Sequence, residues 1–113
     1  LAVVFDRGQF NQIVWNLVRN AWQHCRKAEG SIRIEARPGY MGDAVIFELG
    51  DDGPGVPADV RGQIFEPFFT TRSVGTGLGL YVARELADAN RAALDLLPKE
   101  PGAHFRLTLR RAT

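Results

Sequence analysis

Gln12, Asn16, Asn20 and His24 recur every four residues in a stretch whose apolar residues, among them Ile13, Leu17 and Ala21, keep helical spacing. At 100° per residue the four polar side chains form one stripe beside the apolar face. Asn is unfavourable inside a helix, because its side chain competes for backbone hydrogen bonds. A stripe of amides and an imidazole is therefore not an ordinary solvated face. It offers carbonyl oxygens to a hard cation and N–H donors to phosphate. One or two amide oxygens suffice for Mg²⁺, which completes its shell with phosphates and water. A polar face packed on a neighbour through hydrogen bonds is the alternative.

Two glycine loops follow. Asp51-Asp52-Gly53-Pro54-Gly55-Val56-Pro57 comes directly after a strand-like run. An ionised Asp accepts hydrogen bonds strongly, including one from an exocyclic amine. Gly53 and Gly55 let the backbone turn and approach a flat ring. An exposed turn would use the same residue types. Gly75-Thr76-Gly77-Leu78-Gly79-Leu80 leads into a second helical pattern, and N–H groups at such a start cradle anions. It is no P-loop, since no Gly-Lys-Ser/Thr follows. Nor is it the dinucleotide fingerprint, since Leu80 stands in place of the third glycine. A flexible hinge is the plain alternative. Between the loops, Phe65-Glu66-Pro67-Phe68-Phe69-Thr70-Thr71-Arg72 sets adjacent aromatics beside a cation able to meet phosphate. At least one of these phenylalanines belongs in a core.

These loops need a frame. The pattern predicts a strand at 1–5, a helix over 8–27 with Asp6 as its cap, and a hairpin of strands at 31–37 and 44–49. A short helix at 58–64, a helix at 77–90 and closing strands at 93–97 and 104–109 complete it. Elements in this order build an α+β sandwich of helices on one face of a mixed, mostly antiparallel sheet. The count is about five strands and about three helices in one domain, residues 1–113.

Composition sets further bounds. Hydrophobic residues at 45% and charged residues at 24% are ordinary for a globular domain and exclude a disordered chain. A net charge of +1 supplies no broad field for nucleic acid or an anionic membrane, so a phosphate ligand needs a local site. The single cysteine, Cys25, forms no internal disulfide, which fits a reducing cytosol. The longest apolar run, Leu1 to Phe5, is far shorter than the roughly 20 residues of a membrane span. The chain opens at Leu1 in a strand-like run and reads as a piece of a longer protein. Cys25, Trp15 and Trp22 read as structural residues, with Trp15 alternatively facing a missing dimerisation domain.

Taken together, the segments resemble the ATP-binding catalytic domain of bacterial sensor histidine kinases. Asn16-Leu17-Val18-Arg19-Asn20-Ala21 with His24 is similar to that family's asparagine box, and Asp51 to Val56 to its first glycine box. Phe65 to Phe69 is similar to its phenylalanine box, and Gly75 to Leu80 to its second glycine box. The four stand in family order and span nearly the whole chain. The resemblance implies a Bergerat-type fold that binds ATP and Mg²⁺. It implies that Asn16 holds the metal, that Asn20 supports metal and phosphates, and that Asp51 reads the adenine amine. It also implies that Gly53 and Gly55 shape the base pocket and that Gly75, Thr76, Gly77, Leu78 and Gly79 meet the phosphates. Thr71 and Arg72 are further phosphate contacts, and His24 a pocket hydrogen-bonding residue.

The sequence departs from the family twice. Ala89-Asn90-Arg91 stands where a His-Gly-Gly turn is usual, and Ala103 where a threonine usually precedes the last strand. The stretch from Ala83 to Leu97 most resembles the type IV pilus sensors, near the nitrogen sensors. In ATP-hydrolysing relatives a glutamate stands four residues before the metal asparagine; here it is Gln12, a neutral amide that is no base at pH 7. The resemblance thus implies positioning of ATP for transfer to a histidine carried on a separate dimerisation domain. Neither His24 nor His104 suits that role, so the chain alone is expected to form no stable phosphohistidine. A homodimeric parent, a response regulator and a cytoplasmic location, under an inner-membrane sensor, are its further implications. An anti-sigma-factor-type serine kinase and a nucleotide-binding pseudokinase stay open as alternatives.

Overall fold

The computed structural model describes residues 2–40, 42–69 and 77–112. Helix α1 (Arg7–His24) starts where Asp6 turns extended and its Oδ1 accepts the Gln9 N–H at 2.8 Å. It stops before the expected residue 27 because neighbouring side chains take the next N–H groups. Asp52 Oδ1 accepts from Arg26 N at 2.8 Å, and Ser31 Oγ accepts from Ala28 N at 3.0 Å. Lys27 then turns left-handed, at φ 57°.

Strands β1 (Ile32–Pro38) and β2 (Ala44–Asp51) form the expected hairpin. A 3-10 helix (Ala58–Gln63) and helix α2 (Gly79–Ala89) lead to β3 (Ala93–Leu97) and β4 (His104–Arg110). The sheet order is β1-β2-β4-β3, and each of these pairings is antiparallel. The expected first strand appears as an isolated bridge, Val3 to Arg111, flanked by hydrogen bonds from Val4 N to Arg110 O and from Ala112 N to Ala2 O. These pairings fall just beyond Ala93↔Thr108, the last pair that β3 makes with β4.

Alternation places Val45, Leu49, Phe105, Leu107 and Leu109 on the helix-covered face. There Leu49, Phe105, Leu107 and Leu109 join Ile13, Leu17 and Ala21 of α1 and Ala83 and Ala87 of α2 in one core. Burial of each large aliphatic side chain stabilises by about 1.5–3 kcal/mol. Small residues on α2 let the two helices lie close. Cys25 is buried, as expected. Trp15 and Trp22 are not core residues: they are 60% and 53% exposed. At 100° per residue both project from the side of α1 opposite Ile13, Leu17 and Ala21. No helix among the described residues is long and apolar enough to cross a membrane.

Candidate functional site

β2 delivers Asp51. As its last residue, Asp51 falls on the covered face and is only 5% exposed. Its Oδ1 accepts from Gly53 N at 2.8 Å and from Ala103 N at 3.2 Å. Its Oδ2 is buried and has no hydrogen-bond partner among the described residues. An unmet buried acceptor costs about 1–3 kcal/mol, so a donor supplied from outside recovers that energy. Asp52 is the contrast. Both of its oxygens are used, Oδ1 by Arg26 N and Oδ2 by Ser31 Oγ at 2.8 Å. The Arg26 N–H first, and the Ser31 hydroxyl next, hold its carboxyl below the ordinary range against the opposing effect of burial. Of two adjacent aspartates, one fastens the end of α1 to the sheet and the other is left able to read a ligand.

Glycines make the approach possible. A Cβ on Gly53 would strike the His24 carbonyl, so the first glycine box lies directly against the end of α1. Gly102, at φ 76°, passes so close to the Asp51 carbonyl that no side chain fits. Gly53, Gly55, Val56 and Gly102, with Arg61 and Lys99, border a cavity of about 220 Å³. That is below the usual size of a small-molecule site, about 300–1,000 Å³, and Asp51 does not line it; the cavity is one margin of the site.

The polar stripe of α1 arrives beside this loop. His24 donates through Nδ1 to the Asn20 carbonyl at 2.7 Å, since a carbonyl oxygen can only accept. Asn16 donates through Nδ2 to the Gly79 carbonyl at 3.2 Å, joining α1 to the first turn of α2. Asn16, Asn20 and His24 are half-buried, while Gln12 is exposed. α2 begins after Leu78 without a side-chain cap, so its first N–H groups remain donors. No group of three or more His, Cys, Asp or Glu among the described residues is placed to hold a metal.

The phenylalanine box meets the second glycine box. Phe68, at φ 65°, donates its N–H to Gly77 O at 2.9 Å, and Gly77, at φ 73°, has no room for a Cβ against the Phe68 backbone. Phe65 packs edge-on to Phe105, and the Arg84 guanidinium lies 4.2 Å from its ring centre. Phe69 is half-buried against the core, whereas Phe68 is 72% exposed. Thr71, Arg72, Gly75 and Thr76 lie outside the described residues.

The structure thus brings Asp51, Gly53, His24, Asn20 and Asn16 together along one line, with Gly77, Leu78 and Gly79 at its far end. Sequence reasoning missed Gly102 and Ala103 as parts of the Asp51 environment. The signals were a glycine just before the last strand and Ala103 in the place of the family's usual threonine.

The profile described as "Histidine kinase-, DNA gyrase B-, and HSP90-like ATPase" matches residues 5–113. The chain belongs to that family. It is 44% identical over 106 residues to the sensor protein kinase PilS of Pseudomonas aeruginosa, which covers 91% of the chain and 20% of that protein. In structure it is similar to full-length ShkA in complex with AMPPNP, with TM-score 0.79 and 30% identity over 98% of this chain and 24% of that one. It is also similar to the catalytic domain of the histidine kinase ThkA, with TM-score 0.76 and 30% identity over 96% and 71%. The fold is therefore that of a histidine kinase catalytic domain, and the chain spans about one fifth of its PilS relative.

Proposed function

We propose that the chain binds Mg-ATP and presents the γ-phosphate to a histidine on a separate dimerisation domain, as the kinase core of a two-component system. The buried, partnerless Oδ2 of Asp51 carries this reading. An adenine 6-amino group is the donor that would satisfy it. Guanine presents a carbonyl there, and two facing acceptors repel. ShkA was solved with AMPPNP, which supports an adenine nucleotide at the same site.

Asn16 would hold Mg²⁺, with Asn20 beside it, and the metal would neutralise phosphate charge during transfer. Amide oxygens suit this hard cation better than a histidine or cysteine cluster would. The uncapped N–H groups after Leu78 would meet phosphate oxygens. Phosphoryl transfer depends mainly on positioning and charge stabilisation, so the chain needs no base of its own. Gln12 fits that requirement, because an amide does not activate water. The phosphoacceptor domain, a homodimeric parent, a response regulator and a cytoplasmic setting beneath an inner-membrane sensor complete the proposal.

Calorimetric titration with ATP, with and without Mg²⁺, tests binding. Incubation of the chain with labelled ATP tests transfer, alone and with the dimerisation domain of its parent. Acid-labile label on the added domain and none on the chain is the expected result. Label on a serine would point to an anti-sigma-type kinase, and binding without transfer to a pseudokinase.

A further inference from the structure

The start of α1 carries the pattern Asp6-Arg7-Gly8-Gln9, in which the residue three after the cap ordinarily reaches back to the cap's own N–H. Half of that exchange is present, since Asp6 Oδ1 accepts from Gln9 N at 2.8 Å. The other half is intercepted. The Asp6 N–H donates to Asn90 Oδ1 at 3.0 Å, and Asn90 Nδ2 donates to Gln9 Oε1 at 2.7 Å and to Leu86 O at 2.8 Å. Asn90 is the last residue of the α2 cap. Its amide inserts between the two members of the α1 cap, accepting from one and donating to the other. Only a group that is donor and acceptor at once can occupy this place.

This tie joins the start of α1 to the end of α2. A second tie, from Asn16 Nδ2 to Gly79 O, joins the middle of α1 to the start of α2. The two lie about 10 Å apart along α1 and about 16 Å apart along α2. Apolar packing holds α2 against α1, and a single polar tie would add only one fixed point to it. Two separated contacts fix both its rotation and its axial register. Asn16 and the first turn of α2 form the phosphate and metal end of the site, and Asp51, held on the sheet by Gly53 and Ala103, forms the base end. We propose that Asn90 is a positioning residue for the phosphate end of the site, setting the register of α2 on α1 from the side remote from the nucleotide. The inference rests on the Mg-ATP reading given above.

The test compares two ligands on the same variants. Mg-ATP uses both ends of the site, and adenosine only the base end. Asn90→Ala removes both bonds to α1 and the one to Leu86 O, and is expected to weaken Mg-ATP roughly tenfold while changing adenosine affinity less than twofold. Gln9→Lys, which opposes a donor to Asn90 Nδ2, should act in the same direction if Asn90→Ala does not fold. Gln9→Glu, which keeps an acceptor there, should retain wild-type affinity for both ligands. Equal loss for both ligands, or unchanged Mg-ATP affinity in a folded Asn90→Ala, overturns the positioning role. Failure of the wild-type chain to bind Mg-ATP overturns the functional reading itself, and the inference with it.

Discussion

The backbone N–H of Ala103 reaches Asp51 Oδ1 at 3.2 Å, from the position where the family's usual threonine would stand. Together with the Gly53 N–H it occupies one carboxylate oxygen and leaves the other for a ligand. On the proposed Mg-ATP reading, the base would depend heavily on Asp51 Oδ2.

Asp51→Asn is expected to keep the fold and lose the nucleotide. The amide retains an acceptor for the Gly53 and Ala103 N–H groups but turns a donor towards the adenine amine. Leaving that buried pair mismatched costs about 1–3 kcal/mol, which predicts a roughly 5- to 150-fold loss of ATP affinity by calorimetry. An unchanged affinity, with an unchanged circular dichroism spectrum, would exclude Asp51 as the base reader.

Gly102→Ala strains the same place from the other side. The residue sits at φ 76°, and a Cβ there would collide with the Asp51 carbonyl. A forced left-handed residue costs about 1–2 kcal/mol before the collision is counted. The expected urea midpoint is correspondingly lower, and the displaced β3–β4 connection should also weaken ATP binding.

Much of this site was legible because its parts are local. The four boxes announced themselves through residue types at short spacing, and the α1 stripe through a period of four. What stayed hidden depends on contacts distant in sequence. Ala103 lies 52 residues from Asp51, and Asn90 lies 84 from Asp6. Both stand out in the sequence only as departures from the family's usual residues, which says nothing of the partners they meet. The two tryptophans misled for a related reason. Apolar type suggested burial, but the position of each around α1 decided exposure. The strand expected at 1–5 shrank to a bridge, because Val3 pairs only with Arg111 beyond the end of β3.

Arg91 occupies a position built for glycine. Ala92 N donates to Ala87 O and Arg91 N to Asp88 O, so α2 ends in a Schellman motif with Arg91 left-handed at φ 58°. Arg91→Gly should relieve backbone strain, less the added entropy of the unfolded chain. The expected gain is about 0.5–1 kcal/mol, read as a higher denaturation midpoint with ATP affinity unchanged. A lower midpoint would mean that the Arg91 side chain contributes more than its backbone costs.

Glu48 links the stability of the sheet to pH. It lies directly opposite Glu35 across β1 and β2 and opposite Arg106 across β2 and β4. Two facing glutamates would repel. Arg37 removes the conflict by binding Glu35 and Glu48 at 2.7 Å each, and Arg106 adds contacts to Glu48 at 2.8 and 2.9 Å. Lys99 lies 3.9 Å away. Burial by itself pushes the Glu48 carboxyl up, but the hydrogen bonds and charges of Arg37 and Arg106 outweigh it and hold the group below its ordinary value. A carboxyl lowered by folding contributes stability above its unfolded value, about 4.3, and that stability is lost as pH falls through the folded value. Glu48→Gln is therefore expected to melt several degrees below wild type at pH 7. The gap should narrow as pH drops below about 4. Thermal melts of both proteins from pH 7 to pH 3 measure this directly. A gap that stays constant over that range would show that Glu48 acts through shape and packing, with no contribution from its charge.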